Sequence, residues 1–136
     1  MRLGTNLMTE EERARGGELA TALKGLHRAL IRAEAGDDPE LQNPYTLLFA
    51  VIGDPRFSWM GALSQLIVQL EEALDDKEDI AELAPFLTAA GQLLGEEEGT
   101  QAEFRLRYLM ALQKEPDVAL ATGALRRVLT RLAQPR

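Results

Sequence analysis

The chain has no cysteine, so disulfides, thiolate metal sites and cysteine nucleophiles are excluded outright. Its single histidine, His27, has Lys24 three residues before it. The Glu-x-x-His pairs of a carboxylate-bridged metal site in a helical bundle are therefore missing. No apolar run approaches the roughly 20 residues needed to span a bilayer, and Met1 to Met8 lacks the apolar segment of a signal peptide. Nucleophile elbows, phosphate-cradling glycine loops and dinucleotide fingerprints are absent. The acidic run at 71–82 lacks the alternating ligands and central glycine of a calcium loop, and reads as a solvated turn. No motif assigns an activity, and the expectation is a protein that is not an enzyme and uses no cofactor.

What is present is helical. At 136 residues, with 46% hydrophobic and 27% charged side chains, the chain fits one ordinary domain. Residues 1–8 are expected to be a flexible terminus, with Met8 as an alternative start, and 9–134 a single helical-bundle domain. The first helix, from about Thr9 to Ala35, carries Leu19, Leu23, Leu26, Leu30 and Ala33 at steps of four and three. Gly16-Gly17 weakens it near its start. Gly36 closes it, and GDDPELQNP, 36–44, is a loop.

Asn43 to Leu74 is the densest apolar segment, and the other helices are expected to pack around it. Asn43-Pro44 and Asp54-Pro55 each place an Asx side chain at N-cap and proline at the first helical position. They mark a short apolar helix and then a long one whose stripe is Met60, Leu63, Ile67, Leu70 and Leu74. Leu66 and Val68 lie off that stripe, which predicts neighbours on two sides. A further helix covers about Glu78 to Leu94, with Ile80, Leu83, Leu87, Ala90 and Leu94 inward and Pro85 kinking it or splitting off its first turn.

Thr100 to Glu103 reads as a capping box. The helix after it runs through Leu106, Leu109 and Leu112, with Phe104 and Tyr108 alongside. Glu115-Pro116-Asp117 starts the last helix, with Val118, Ala121, Leu125, Val128 and Leu132 inward. The fold class is all-α: an antiparallel bundle of about five amphipathic helices and one short apolar helix. Gly25, Gly61, Gly91 and Gly123 fall inside four different helices, where some are expected to mark close crossings.

Four of the seven aromatic residues, Tyr45, Phe49, Phe57 and Trp59, fall within fifteen positions. They form either a core plug or, with Met60, the wall of a pocket for a small apolar ligand. His27 flanks the first helix's stripe as a structural residue, with haem ligation alongside Met60 or Met110 as the alternative.

In 117–132, Ala119, Gly123 and Leu129 fall where a DNA-reading helix-turn-helix carries alanine, glycine and an aliphatic residue. Arg126, Arg127 and Arg131 would contact phosphates. Thr122 sits where that motif is apolar, the stripe fits one straight helix better, and the net charge of −7 opposes nucleic acid.

The charge is divided. Residues 1–99 carry eight basic and nineteen acidic side chains, whereas 100–136 carry seven basic and three acidic. These charges are solvated faces and antiparallel neighbours, or they orient two copies in an oligomer. The Ala-, Leu- and Arg-rich composition points to a GC-rich bacterial genome, and the missing membrane span and signal segment to a cytoplasmic protein. The runs LHRALIRAE, NPYTLLFAVIGDPRFSW, LSQLIVQLEE and FRLRYLMALQKEPDVAL resemble a family of small uncharacterised bacterial all-helical proteins. The matching motifs are Leu26-His27, Asp54 to Trp59 and Ser64 to Val68. The resemblance implies an intact native domain and carries over no activity. The function expected is that of an interaction or structural protein, a homo-oligomer or partner of another protein, with no membrane segment.

Overall fold

Leucines spaced along one face make the first helix, α1 (Glu10–Ala35), the axis of the fold. In the computed structural model, which describes residues 10–75, 82–95 and 102–133, Leu19, Leu23, Leu26 and Leu30 are all at most 1% exposed. Five further helices follow: α2 (Pro44–Gly53), α3 (Gly61–Asp75), α4 (Ala84–Leu93), α5 (Ala102–Lys114) and α6 (Pro116–Ala133). Two short 3₁₀ turns, Pro39–Gln42 and Pro55–Met60, flank α2. No strand occurs among the described residues, so the chain is an all-α bundle.

The expected centre is corrected. α1, not the Asn43–Leu74 segment, is the hub, because it packs against α6, α3, α5 and the second 3₁₀ turn. Within that segment the second 3₁₀ turn and α3 are central, with Phe57, Trp59, Met60, Leu63, Leu66, Ile67 and Leu70 buried while Val68 is exposed. Side chains of α1 also close the ends of its neighbours. Arg13 donates to the carbonyl of Leu74 and Arg15 to that of Leu132, satisfying groups that the last turns of α3 and α6 leave open. His27 meets Ser64 and Glu18 meets Arg131, so α1 runs antiparallel to both helices.

The boundaries follow local chemistry. Gly36 adopts φ +53, and its amide reaches the Arg32 carbonyl at 2.9 Å, ending α1 where a side chain would be strained. Pro85 stands in the first turn of α4, where its missing N–H costs nothing, and α4 begins at Ala84. The expected flexible terminus at 1–8, the upstream part of the fourth helix at 78–81 and Thr100 of the capping box lie outside the described residues.

The glycine expectation is corrected at three of its four positions, while Gly91 is buried in α4. A Cβ on Gly25 or Gly61 meets nothing within 4 Å, and one on Gly123 meets only the tip of Arg127. The close approach is at Gly16, where a Cβ would stand 2.6 Å from Leu74 Cδ2 at the α1–α3 contact. Gly25→Ala should therefore stabilise the fold by about 0.5–1 kcal/mol through helix propensity alone. Urea unfolding checks it, and a destabilised variant would mean that the position packs more tightly than described.

Candidate interaction surface

α2 is the most apolar helix of the chain, and none of its residues is buried. Its sequence, PYTLLFAVIG, holds no charge, so nothing in it salt-bridges to the bundle. Ten residues are too few for a stable isolated helix, and the ends supply what length does not. Asn43 Oδ1 accepts from the amides of Tyr45 at 2.8 Å and Thr46 at 3.3 Å, with Pro44 preset for the first turn. At the other end the Asp54 amide reaches the Ala50 carbonyl at 2.8 Å, while Asp54 Oδ1 caps the next turn through the Arg56 amide at 2.9 Å.

α2 packs chiefly on the two 3₁₀ turns, with Leu47, Ala50 and Val51 half-buried against the core. The opposite stripe, Tyr45, Leu48, Phe49 and Ile52, is 76%, 53%, 71% and 73% exposed. These positions step by three, one and three, which places four large apolar side chains on one outward face.

The aromatic cluster expected from sequence is thus divided. Phe57, Trp59 and Met60, in the second 3₁₀ turn, are buried, whereas Tyr45 and Phe49 face solvent. Trp59 Nε1 donates to Glu34 Oε1 at 2.9 Å, and its ring lies 5.6 Å from that of Phe104, which stacks on Tyr108 at 5.9 Å. Arg56 bonds Glu34 and Asp38, so the turn is tied to the end of α1 and to the loop after it. The bond to Asp38 foremost, then that to Glu34, raises the Arg56 guanidinium above its usual pKa. A cleft of about 140 Å³ opens beside Trp59, between Leu30, Glu34, Arg107, Met110 and Lys114. Trp59 is the one residue of the expected pocket that lines it.

A second exposed apolar face is on α5, and it includes Leu106 and Leu109 of the stripe expected from sequence. Phe104 and Tyr108 are the buried residues of α5, while Leu106, Leu109 and Met110 are 61%, 46% and 51% exposed. Two apolar stripes competed for the core, and the aromatic one prevailed because it alone continues the ring stack from Trp59. The readable signal was Thr122, the polar residue out of place in a DNA-reading motif. Its Oγ1 lies 2.7 Å from Tyr108 Oη in the buried α5–α6 contact, giving the phenol a partner where burial without one is costly.

Comparison with protein-family models, curated proteins and solved structures finds no match. The chain's own geometry therefore carries the functional argument.

Pro116–Ala133 is one uninterrupted helix, so the helix-turn-helix geometry weighed for 117–132 does not form. Arg126, Arg127 and Arg131 do share one patch, in which Arg131 is paired with Glu18 at 2.7 Å. Among the described residues, no three acidic or histidine side chains converge as a metal site requires, and no helix is long and apolar enough to cross a membrane.

His27 is half-buried, with Nε2 3.0 Å from Ser64 Oγ, which also lies 3.2 Å from the Met60 carbonyl. Burial lowers the His27 pKa below the usual 6.5, because the charged imidazolium is poorly solvated there. The unfolded chain then binds a proton at higher pH than the folded one. The His27 contribution is complete above about 6.5 and is lost as pH falls below it. Urea midpoints at pH 7.5 and 5.5 should fall more for the parent than for His27→Gln. Equal falls would assign the pH dependence to carboxylates instead.

Proposed function

We propose that the chain is a non-enzymatic interaction protein that works as a homo-oligomer. One observation carries the reading: the most apolar helix is capped at both ends, has no buried residue and turns four large side chains outward. A stripe of that size on a monomer marks an association site. The composition supports a bacterial, cytoplasmic setting, and the resemblance to small uncharacterised bacterial helical proteins adds no chemistry to it.

Native mass spectrometry tests the proposal. The expected result is a dimer or higher oligomer without added mass. A monomer carrying a reproducible extra mass would overturn it in favour of a second reading, a binder of a small apolar ligand. That reading has its own support in the cleft beside Trp59, whose floor of Leu30, Trp59 and Met110 is apolar. Binding there would change the emission of Trp59, the sole tryptophan.

A further inference from the structure

We propose that two copies of the chain associate by laying α2 of one against α5 of the other, the contact being made twice about a two-fold axis. The inference rests on the self-association reading and specifies its surfaces. Each surface is an unpartnered helix face: Tyr45, Leu48, Phe49 and Ile52 on α2, and Leu106, Leu109 and Met110 on α5. Both helices pack against the second 3₁₀ turn, which is six residues long, so the two faces belong to one end of the molecule. A single two-fold operation can therefore bring both into use.

Charge selects this pairing over α2 against itself. The 36–60 segment around α2 carries four acidic side chains, Asp37, Asp38, Glu40 and Asp54, and one basic one, Arg56. α5 carries Arg105, Arg107 and Lys114 against Glu103, and Glu115 and Asp117 follow it directly, so 102–117 is neutral. Pairing α2 with α5 sets acidic surroundings against neutral ones, whereas pairing α2 with α2 opposes like charge. The same acidic surroundings repel an anionic lipid surface.

Area agrees with a two-fold contact that uses both faces. At the observed exposures the α2 stripe offers roughly 500 Å² and the α5 stripe roughly 300 Å², taking large apolar side chains near the lower end of their usual 150–250 Å². One contact then buries roughly 800 Å², below the 1,200–2,000 Å² of stable interfaces. Made twice, it buries roughly 1,600 Å², which is within that range. Tyr45 and Phe49 are the aromatic anchors that such an interface requires.

The absence of cysteine makes the test direct. Phe49→Cys and Leu109→Cys chains, one extended by a tag to separate the products by size, are mixed, equilibrated and mildly oxidised. Both positions are exposed, so both variants should fold, which circular dichroism checks. The expected result is a mixed disulfide formed several-fold more than either self-linked product and more than with Gln65→Cys, an exposed position on α3. Phe49→Cys linking mainly to itself would overturn the α2–α5 pairing and leave self-association standing. Linking no better than the Gln65→Cys control in a chain that is dimeric by native mass spectrometry would place the interface elsewhere. The same result in a monomer would overturn both proposals.

Discussion

Leu63→Ala is expected to cost about 2–5 kcal/mol and to lower the melting temperature by roughly 10 °C. Leu63 is fully buried on α3, in the core that α3 shares with Leu19, Leu23, Leu26 and Leu30 of α1. Truncation there removes the transfer energy of the side chain and leaves a cavity that two long helices cannot readily close. Leu48→Ala is the matched control. It deletes the same atoms from a side chain that is 53% exposed, and its effect should stay within about 0.5 kcal/mol. Thermal melts of the two variants, each run as a monomer at low concentration, give the comparison. A Leu48→Ala cost near that of Leu63→Ala would mean that the α2 stripe is covered within the monomer, which would undercut its assignment as an association surface.

That contrast marks the limit of what hydrophobicity can say. The stripes of α1 and α6 were legible because each helix has one dominant apolar face and mostly polar residues elsewhere. Periodicity then fixes the inward side. α2 offers no such asymmetry. With Leu47, Ala50 and Val51 on one side and Tyr45, Leu48, Phe49 and Ile52 on the other, it is apolar all round, and a pattern of that kind reads as buried even when the helix lies at the edge. The aromatic cluster failed for a related reason. Tyr45 and Phe49 are close to Phe57 and Trp59 in sequence, but the turn at Gly53-Asp54-Pro55 separates an exposed helix from a buried 3₁₀ turn. Nearness along the chain did not become nearness in a site.

α5 shows a different limit. Leu106, Leu109 and Leu112 form an acceptable stripe, and so do Phe104, Tyr108 and Leu112. Which one turns inward depends on partners that no local pattern contains: Trp59 from the second 3₁₀ turn and Thr122 from α6. The charge division between 1–99 and 100–136 was readable, and Glu18–Arg131 is an intramolecular instance of it. That pair is exposed and adds little stability.

Trp59→Ala should be the most damaging single substitution at the α2 end of the molecule, costing about 3–5 kcal/mol. Trp59 is 8% exposed and joins three elements: its indole N–H holds Glu34 of α1, its ring packs on Phe104 of α5, and its own 3₁₀ turn carries α2. Trp59→Phe separates the two roles. It retains most of the apolar contact and loses the hydrogen bond to Glu34, so it should cost nearer 1 kcal/mol. Because no other tryptophan is present, circular dichroism must report the unfolding. If phenylalanine is as costly as alanine, the Glu34 bond rather than the ring fixes the turn. Dimerisation gives a second readout. Trp59→Ala loosens the turn on which both α2 and α5 pack, so dimer affinity should fall further than the loss of any single exposed side chain would cause. Trp59→Phe should leave it close to the parent value, because the platform beneath both faces is preserved.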